Sequence, residues 1–279
     1  MFKYSYDALV YADEPIEKSI RRVAKFGYDA IELVGEPDQH DTAEVRRLCK
    51  NNGISVSSIC SIFFGPERDL VALDPEMRKK AVGYAKSVVD FAAETGAPTI
   101  NLAPSPVGKL VAVGDKQQEW DLALESLGEI ADYAEKAGIR TCLEPWNRYE
   151  TYFINSLDQA LDLAKAVGHN NLGVMGDSFH MNIEDVDIAG NYRKAGDQLF
   201  HVHFADSQRA APGAGHIDFA PSIQALIDID YKGYIAFELL PAAADPFATL
   251  KSGRGDEFLD HYTRMAIETI KTVEAEVRR

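Results

Sequence analysis

The stretch Glu144-Pro145-Trp146-Asn147-Arg148-Tyr149-Glu150 decides how the chain is read, because of what stands on either side of it. Before it, Ile139-Arg140-Thr141-Cys142-Leu143 has β character and ends abruptly on a carboxylate, which opens into polar and aromatic residues. The pattern recurs downstream. Leu172-Gly173-Val174-Met175-Gly176 runs into Asp177-Ser178-Phe179-His180, His201-Val202-His203-Phe204 runs into Ala205-Asp206, and Tyr234-Ile235-Ala236-Phe237 ends on Glu238. Strands that finish on a functional group and open into a loop describe a site at the C-terminal ends of parallel strands.

Working outward, the same alternation covers the whole chain. Further strands are predicted over Phe2–Ala8, Asp29–Leu33, Ile54–Ile62 and Pro98–Leu102, and the last two over Leu199–Phe204 and Gly233–Leu239. Helices are predicted between them. They run from Pro15 to Lys25, from an Asp41 cap to Asn52, from Pro75 to Gly96, and from Trp120 to Lys136. Further ones run from Asn155 or Ser156 to Val167, from Asp185 to Ala195, from Pro221 to Ile227, and from Asp256 to Val277. Proline or an Asx/Ser cap opens most of these helices, and Gly27, Gly53, Gly96, Gly138 and Gly168 close five. Eight strand–helix units require a parallel sheet with helical crossovers, and eight close into a barrel. The prediction is therefore an α/β fold, one (β/α)8 TIM-barrel domain over residues 1–279. An open doubly wound sheet is the competing arrangement, disfavoured because no Gly-x-Gly-x-x-Gly turn follows the first strand.

Composition narrows the partners. The 279 residues are 46% hydrophobic and carry a net charge of −15. Nucleic acid demands a basic face, and an anionic membrane surface demands the same, so both are excluded as partners. Cys49, Cys60 and Cys142 form no CxxC pair, which suits a reducing compartment. The N-terminal residues lack the apolar run of a signal peptide, and the expected location is the cytoplasm.

Four strand ends thus offer Glu144, Asp177, His203 and Glu238. A single strand-end Glu ordinarily caps a helix or pairs with a surface Arg, but four such groups on successive strands are harder to account for in that way. Three carboxylates gathered in an apolar barrel mouth repel one another unless a cation neutralises them. Three carboxylates and one imidazole suit Mn²⁺ first, with Mg²⁺ or Co²⁺ open, whereas structural zinc favours thiolates. Side-chain alternation puts Cys142 on the face of Glu144, and His201 one layer below His203, where it takes a structural role. Glu32 ends strand two in the same mouth, as a supporting residue or a cap.

Glu144-Pro-Trp-Asn-Arg-Tyr-Glu150, Asp177-Ser-Phe-His-Met-Asn-Ile-Glu184, His201-Val-His-Phe-Ala-Asp-Ser-Gln-Arg209 and Phe237-Glu238 resemble, in order and spacing, the xylose isomerase-like sugar isomerase/epimerase superfamily. Within it, the ketose 3-epimerases acting on D-tagatose, D-psicose or L-ribulose are the most similar. The resemblance implies that Glu144, Asp177, His203 and Glu238 bind one divalent metal and that Glu144 and Glu238 are the catalytic acid/base pair. It further implies that Glu150, His180 and Arg209 bind the O1 and O2 end of a small-molecule sugar, and that the chain assembles as a homo-oligomer, a dimer or tetramer. The activity implied is C3 epimerisation of a ketose through an enediolate.

Two features depart from that group. The fourth-strand loop Asn101-Leu-Ala-Pro-Ser-Pro-Val-Gly108 lacks its Gly-Gly/Gly-Pro pattern, and Gly176 precedes Asp177 where a bulkier residue is common. Both bear on the far end of the sugar, so the substrate stays open. So does the outcome. A lyase of the same fold (inosose or 3-dehydroshikimate dehydratase, or keto-glycoside cleavage) would form the same enolate and expel a substituent. An AP endonuclease on this barrel would need more histidines than seven and a basic groove, and a catalytically silent sugar binder would not need both carboxylates. Residues Arg209 to Phe219 are expected to form a loop over the site.

Overall fold

A computed structural model describes residues 1–11, 14–241 and 256–279. Eight strands, β1 (Lys3–Asp7), β2 (Ala30–Gly35), β3 (Ser55–Ser61), β4 (Thr99–Leu102), β5 (Arg140–Leu143), β6 (Leu172–Asp177), β7 (Leu199–Phe204) and β8 (Tyr234–Phe237), form a closed barrel in sequential order. Every pairing is parallel, and β1 closes on β8 with Tyr6 beside Phe237. The helices outside are α1 (Ile16–Lys25), α2 (Thr42–Asn52), α3 (Pro75–Thr95), α4 (Lys116–Ala137), α5 (Leu157–Val167), α6 (Ser178–Glu184), α7 (Ile188–Ala195), α8 (Ala220–Asp228) and α9 (Asp256–Val277).

Alternation along each strand divides the molecule into two layers. Tyr6, Ile31, Ile59, Ile100, Leu143, Val174, Val202 and Ile235 alternate with the barrel-lining residues and are fully buried against the helices. Each such side chain contributes about 1.5–3 kcal/mol of burial, so this outer layer supplies much of the fold's stability. The lining layer is polar. Ser5 Oγ lies 2.7 Å from Ser57 Oγ, Ser57 Oγ 3.0 Å from Ser58 Oγ, and Ser58 Oγ 3.2 Å from His201 Nε2, so hydrogen-bonding groups run up the interior toward the mouth.

The helix ends follow their local chemistry. Asp41 caps α2 by accepting from the amides of Ala43 and Glu44, and Gly53 stops it in the left-handed conformation at φ 70°. Most boundaries fall within two residues of the sequence prediction, and two helix starts differ by more. α4 begins one turn before Trp120, because the Asp115 carboxylate accepts from the Gln117 amide. The segment after β6 holds two helices. Asp177 caps the short α6 through the Phe179 amide, and Asp187, two residues beyond the predicted start, caps α7 through the Gly190 amide.

Candidate metal centre and substrate pocket

The closed barrel brings Glu144, Asp177, His203 and Glu238 to one point. One ligand atom from each lies within 4.8 Å of the others, and all four residues are buried. Asp177 and His203 sit side by side in the β6–β7 register, while Glu144 and Glu238 lie one residue beyond β5 and β8. His203 Nδ1 lies near both glutamates, 3.8 Å from Glu144 Oε1 and 3.4 Å from Glu238 Oε2.

Electrostatics alone make this cluster costly. Two like charges about 4.8 Å apart at an effective dielectric of about 20 cost roughly 3–4 kcal/mol. Three ionised carboxylates make three such pairs, a sum comparable to the total stability of about 5–15 kcal/mol of an ordinary domain. The residues respond accordingly. Burial pushes the Glu144 carboxyl up to about 7, with Glu238 adding to the rise and His203 and the Asn101 amide opposing it. Burial and the Glu238 charge hold Asp177 well above its ordinary value. Burial acts the same way on Glu238, but Arg209 and His203 outweigh it and keep that carboxylate ionised.

The donor set fits a divalent cation on the evidence of its unsatisfied atoms. Asp177 Oδ2 and His203 Nδ1 are buried without a hydrogen-bond partner, and both belong to the four-residue cluster. Oxygen-rich donors with one imidazole are the chemistry of a hard or intermediate divalent ion.

Further side chains aim these groups. Glu32 Oε2 lies 3.0 Å from His203 Nε2 and 2.9 Å from His201 Nε2, so His203 turns its other nitrogen to the cluster. Asn101 donates to Glu144 Oε2 at 2.6 Å and accepts from the Ser61 amide. Arg209 donates from Nη2 to Glu238 Oε2 at 2.7 Å, its Nη1 is 3.5 Å from Glu150 Oε1, and its guanidinium lies 5.0 Å above the Phe179 ring. It does so from a left-handed backbone conformation, φ 64°, held by Arg209 N–H donating to Asp206 O and Leu240 N–H donating to Arg209 O. The loop that follows is tied by buried Asp206, whose carboxylate accepts from the amides of Gly213 and Ile217.

His180 completes the arrangement. Its Nδ1 accepts from the Asn147 amide at 3.2 Å and faces the Asn147 side-chain nitrogen at 2.8 Å. Asn147 Oδ1 accepts from the Tyr149 amide, which orients the side chain and leaves its NH₂ toward Glu150 and His180. The proton of His180 therefore sits on Nε2, an unpartnered atom 3.7 Å from Asp177 Oδ2. Burial and the Arg209 charge keep the ring neutral.

All seven residues singled out in the sequence, Glu144, Glu150, Asp177, His180, His203, Arg209 and Glu238, thus stand in one connected region. Sequence reasoning left Glu32 open between two roles and gave none to Asn101, Asn147, Asp206 or Asp7. Of the aromatic residues, Tyr6 faces the helices and stacks on Tyr11 at 5.0 Å, while Phe64 is exposed.

An eight-stranded parallel barrel with acids and a histidine gathered at the strand ends defines a class of barrel enzymes, and the chain belongs to the xylose isomerase-like TIM barrel family, whose model matches residues 20–254. Among particular relatives, the D-psicose 3-epimerase of Ruminiclostridium cellulolyticum is 34% identical over 230 residues, covering 78% of this chain and 76% of that one. The L-ribulose 3-epimerase of a Methylomonas species is 30% identical over 242 residues, covering 85% and 84%. The crystal structure of D-psicose 3-epimerase with D-tagatose from Clostridium cellulolyticum H10 superposes with a TM-score of 0.86 at 28% identity, covering 98% of this chain and 99% of that one. Among the described residues no helix is long and apolar enough to cross a membrane.

Proposed function

We propose that this protein is a divalent-metal-dependent ketose 3-epimerase, built as one barrel domain with its site at the C-terminal ends of the strands. The observation that carries the reading is that Glu144 and Glu238, three strands apart in the barrel wall, bring separate carboxylate oxygens to within 3.8 Å and 3.4 Å of the same His203 Nδ1. Two carboxylates flanking a substrate carbon can take a proton from one face and return one to the other.

Glu144, Asp177, His203 and Glu238 would hold the cation, with Mn²⁺ preferred and Mg²⁺ or Co²⁺ suited to the same donors. A bound cation supplies positive charge beside the ketone, which makes the neighbouring C–H acidic enough to ionise. Everything else is the work of the chain. Glu144 and Glu238 exchange a proton at C3. His180 Nε2–H and the Arg209 guanidinium donate toward O1 and O2, and Glu150, held by Asn147 and Arg209, accepts from a hydroxyl at that end. A neutral His180 suits this role because it donates without competing for the proton being moved.

The experiment is incubation of the protein with Mn²⁺ and a panel of ketoses in D₂O, read by NMR. Solvent deuterium at C3 with inversion and no loss of water supports the reading. Loss of water or of an aglycone moves the assignment to a lyase of the same fold.

A further inference from the structure

Asp7 is a buried acid that the chemistry above does not use. It ends β1, pairs in register with Glu32, and shares the barrel-lining face of Ser5. Its Oδ1 accepts from the Leu9 amide at 2.8 Å, while Oδ2 is buried without a hydrogen-bond partner. An oxygen of Asp7, one of Glu238 and Cys60 Sγ lie within 4.8 Å of one another.

Glu238 therefore belongs to two groups, one on each side of it. On one side stand Glu144, Asp177 and His203, with His180, Arg209 and Glu150 beyond them on the β5–β7 loops. On the other side stand Asp7 on β1 and Cys60 on β3. Asp7 and Cys60 stand beside Glu238 and outside the set assigned to O1, O2 and O3, which leaves them the C4 end of a ketose held by that set. A buried carboxyl oxygen left without a partner is costly, and a sugar hydroxyl is a donor that removes that cost.

We infer that Asp7 is a specificity-determining residue, accepting a hydrogen bond from a substrate hydroxyl beyond C3. The inference rests on the epimerase reading for the direction of the sugar. It assigns the otherwise open choice of substrate to ketoses bearing a hydroxyl where Oδ2 points, because a site built around a buried acceptor rejects the analogue that lacks the donor.

The test compares a ketohexose with its 4-deoxy, 5-deoxy and 6-deoxy derivatives on the Mn²⁺-loaded wild type, Asp7→Leu and Asp7→Asn. Both kcat and KM are measured, and equilibrium binding is titrated in parallel. One deoxy sugar should lose about 10- to 100-fold in kcat/KM on the wild type, as expected when a buried acceptor is left without its donor. Asp7→Leu should lower the parent sugar by a similar factor, mainly through KM, and no longer distinguish it from that deoxy sugar. Asp7→Asn, which presents an N–H₂ group or gives up the Leu9 contact, should do the same and serves if the leucine variant does not fold. A common factor for all four sugars, or no effect on any, overturns the inference. So does a second Mn²⁺ per chain that Asp7→Leu abolishes, since Oδ2 would then be a metal ligand. If the wild type incorporates no deuterium at C3, the epimerase reading fails by itself. The binding titrations then decide Asp7, supported by loss of deoxy-sugar discrimination in the variants and refuted by unchanged affinities.

Discussion

Glu32 and His203 are 171 residues apart in the chain, yet Glu32 Oε2 lies 3.0 Å from His203 Nε2. Burial would raise the Glu32 carboxyl, but His201 and His203 outweigh it and hold it below its ordinary range. A carboxylate on one imidazole nitrogen fixes the ring's orientation and makes the other nitrogen a better ligand. Glu32→Gln is nearly isosteric but removes that charge. It should lower Mn²⁺ affinity about 10- to 100-fold while the strand framework persists, measured by calorimetric titration beside circular dichroism. Wild-type affinity in the variant would show that Glu32 only fills space.

Cation binding should depend on pH in a direction fixed by Glu144. Its carboxyl in the fold sits at about 7, against 4.5 when unperturbed. The metal-free protein is therefore favoured by this group at low pH, and the contribution is lost as pH rises from about 4.5 to about 7. The cation needs the ionised form. Mn²⁺ affinity should rise with pH through about 7, and binding at pH 6 should release protons, with Asp177 and His203, both held well above their ordinary values, contributing in the same sense. Calorimetry in two buffers of different ionisation enthalpy counts them. No proton release at pH 6 would mean that Glu144 is already ionised without metal.

Why the four clustered residues could be read in the sequence while the residues that hold them could not is a matter of distance along the chain. Glu144, Asp177 and Glu238 each terminate a β-patterned run and His203 is the last residue but one of its own, so period-2 alternation and position near the strand end carry the signal locally. Glu32 has the same local look, but its role exists only once β2 and β7 line one closed barrel. Asn101 lies in β4 and meets Glu144 across a strand pair, and Asp206 is defined by amides seven and eleven residues on. The start of α7 differs from its prediction for a related reason. Both Asp185 and Asp187 are possible caps, and only the packed structure shows that Asp185 ends α6 while Asp187 opens α7.

Gly176, one of the two departures from the family pattern, has a packing explanation. A Cβ added there would come 2.5 Å from the Tyr192 ring and 2.8 Å from Met181 Sδ, well inside van der Waals contact. Tyr192 is fully buried, and its hydroxyl donates to the Gly176 carbonyl at 3.3 Å. The missing side chain therefore makes room for an α7 aromatic beneath the strand that carries Asp177. Gly176→Ala should destabilise by about 1–3 kcal/mol through overpacking, a fall in Tm of several degrees. Thermal denaturation of the apo and Mn²⁺-loaded forms checks it. The double substitution with Tyr192→Phe should not recover the loss, because the ring and not the hydroxyl is in the way.

Separating the two glutamates gives the sharpest test of the chemistry. If Glu144 and Glu238 each serve one face of C3, removing one should uncouple exchange from inversion. Glu144→Gln should cut epimerisation by about 10²–10⁴-fold, the usual scale for a lost general acid/base. It should still wash deuterium into the epimer whose C3 proton faces Glu238, with configuration retained, and Glu238→Gln should show the mirror behaviour on the opposite epimer. Because both residues also belong to the metal cluster, the measurement is made at Mn²⁺ concentrations that saturate each variant, established by titration. Asn101→Ala is the companion variant. It removes the 2.6 Å donor to Glu144 Oε2 and leaves the carboxyl harder to ionise, so the pH profile of kcat/KM should shift upward without loss of the exchange pattern. NMR of both ketose epimers in D₂O reads all three proteins in one format. Loss of exchange from both epimers in either glutamine variant would argue that a single base serves both faces, and the two-carboxylate account would have to be given up.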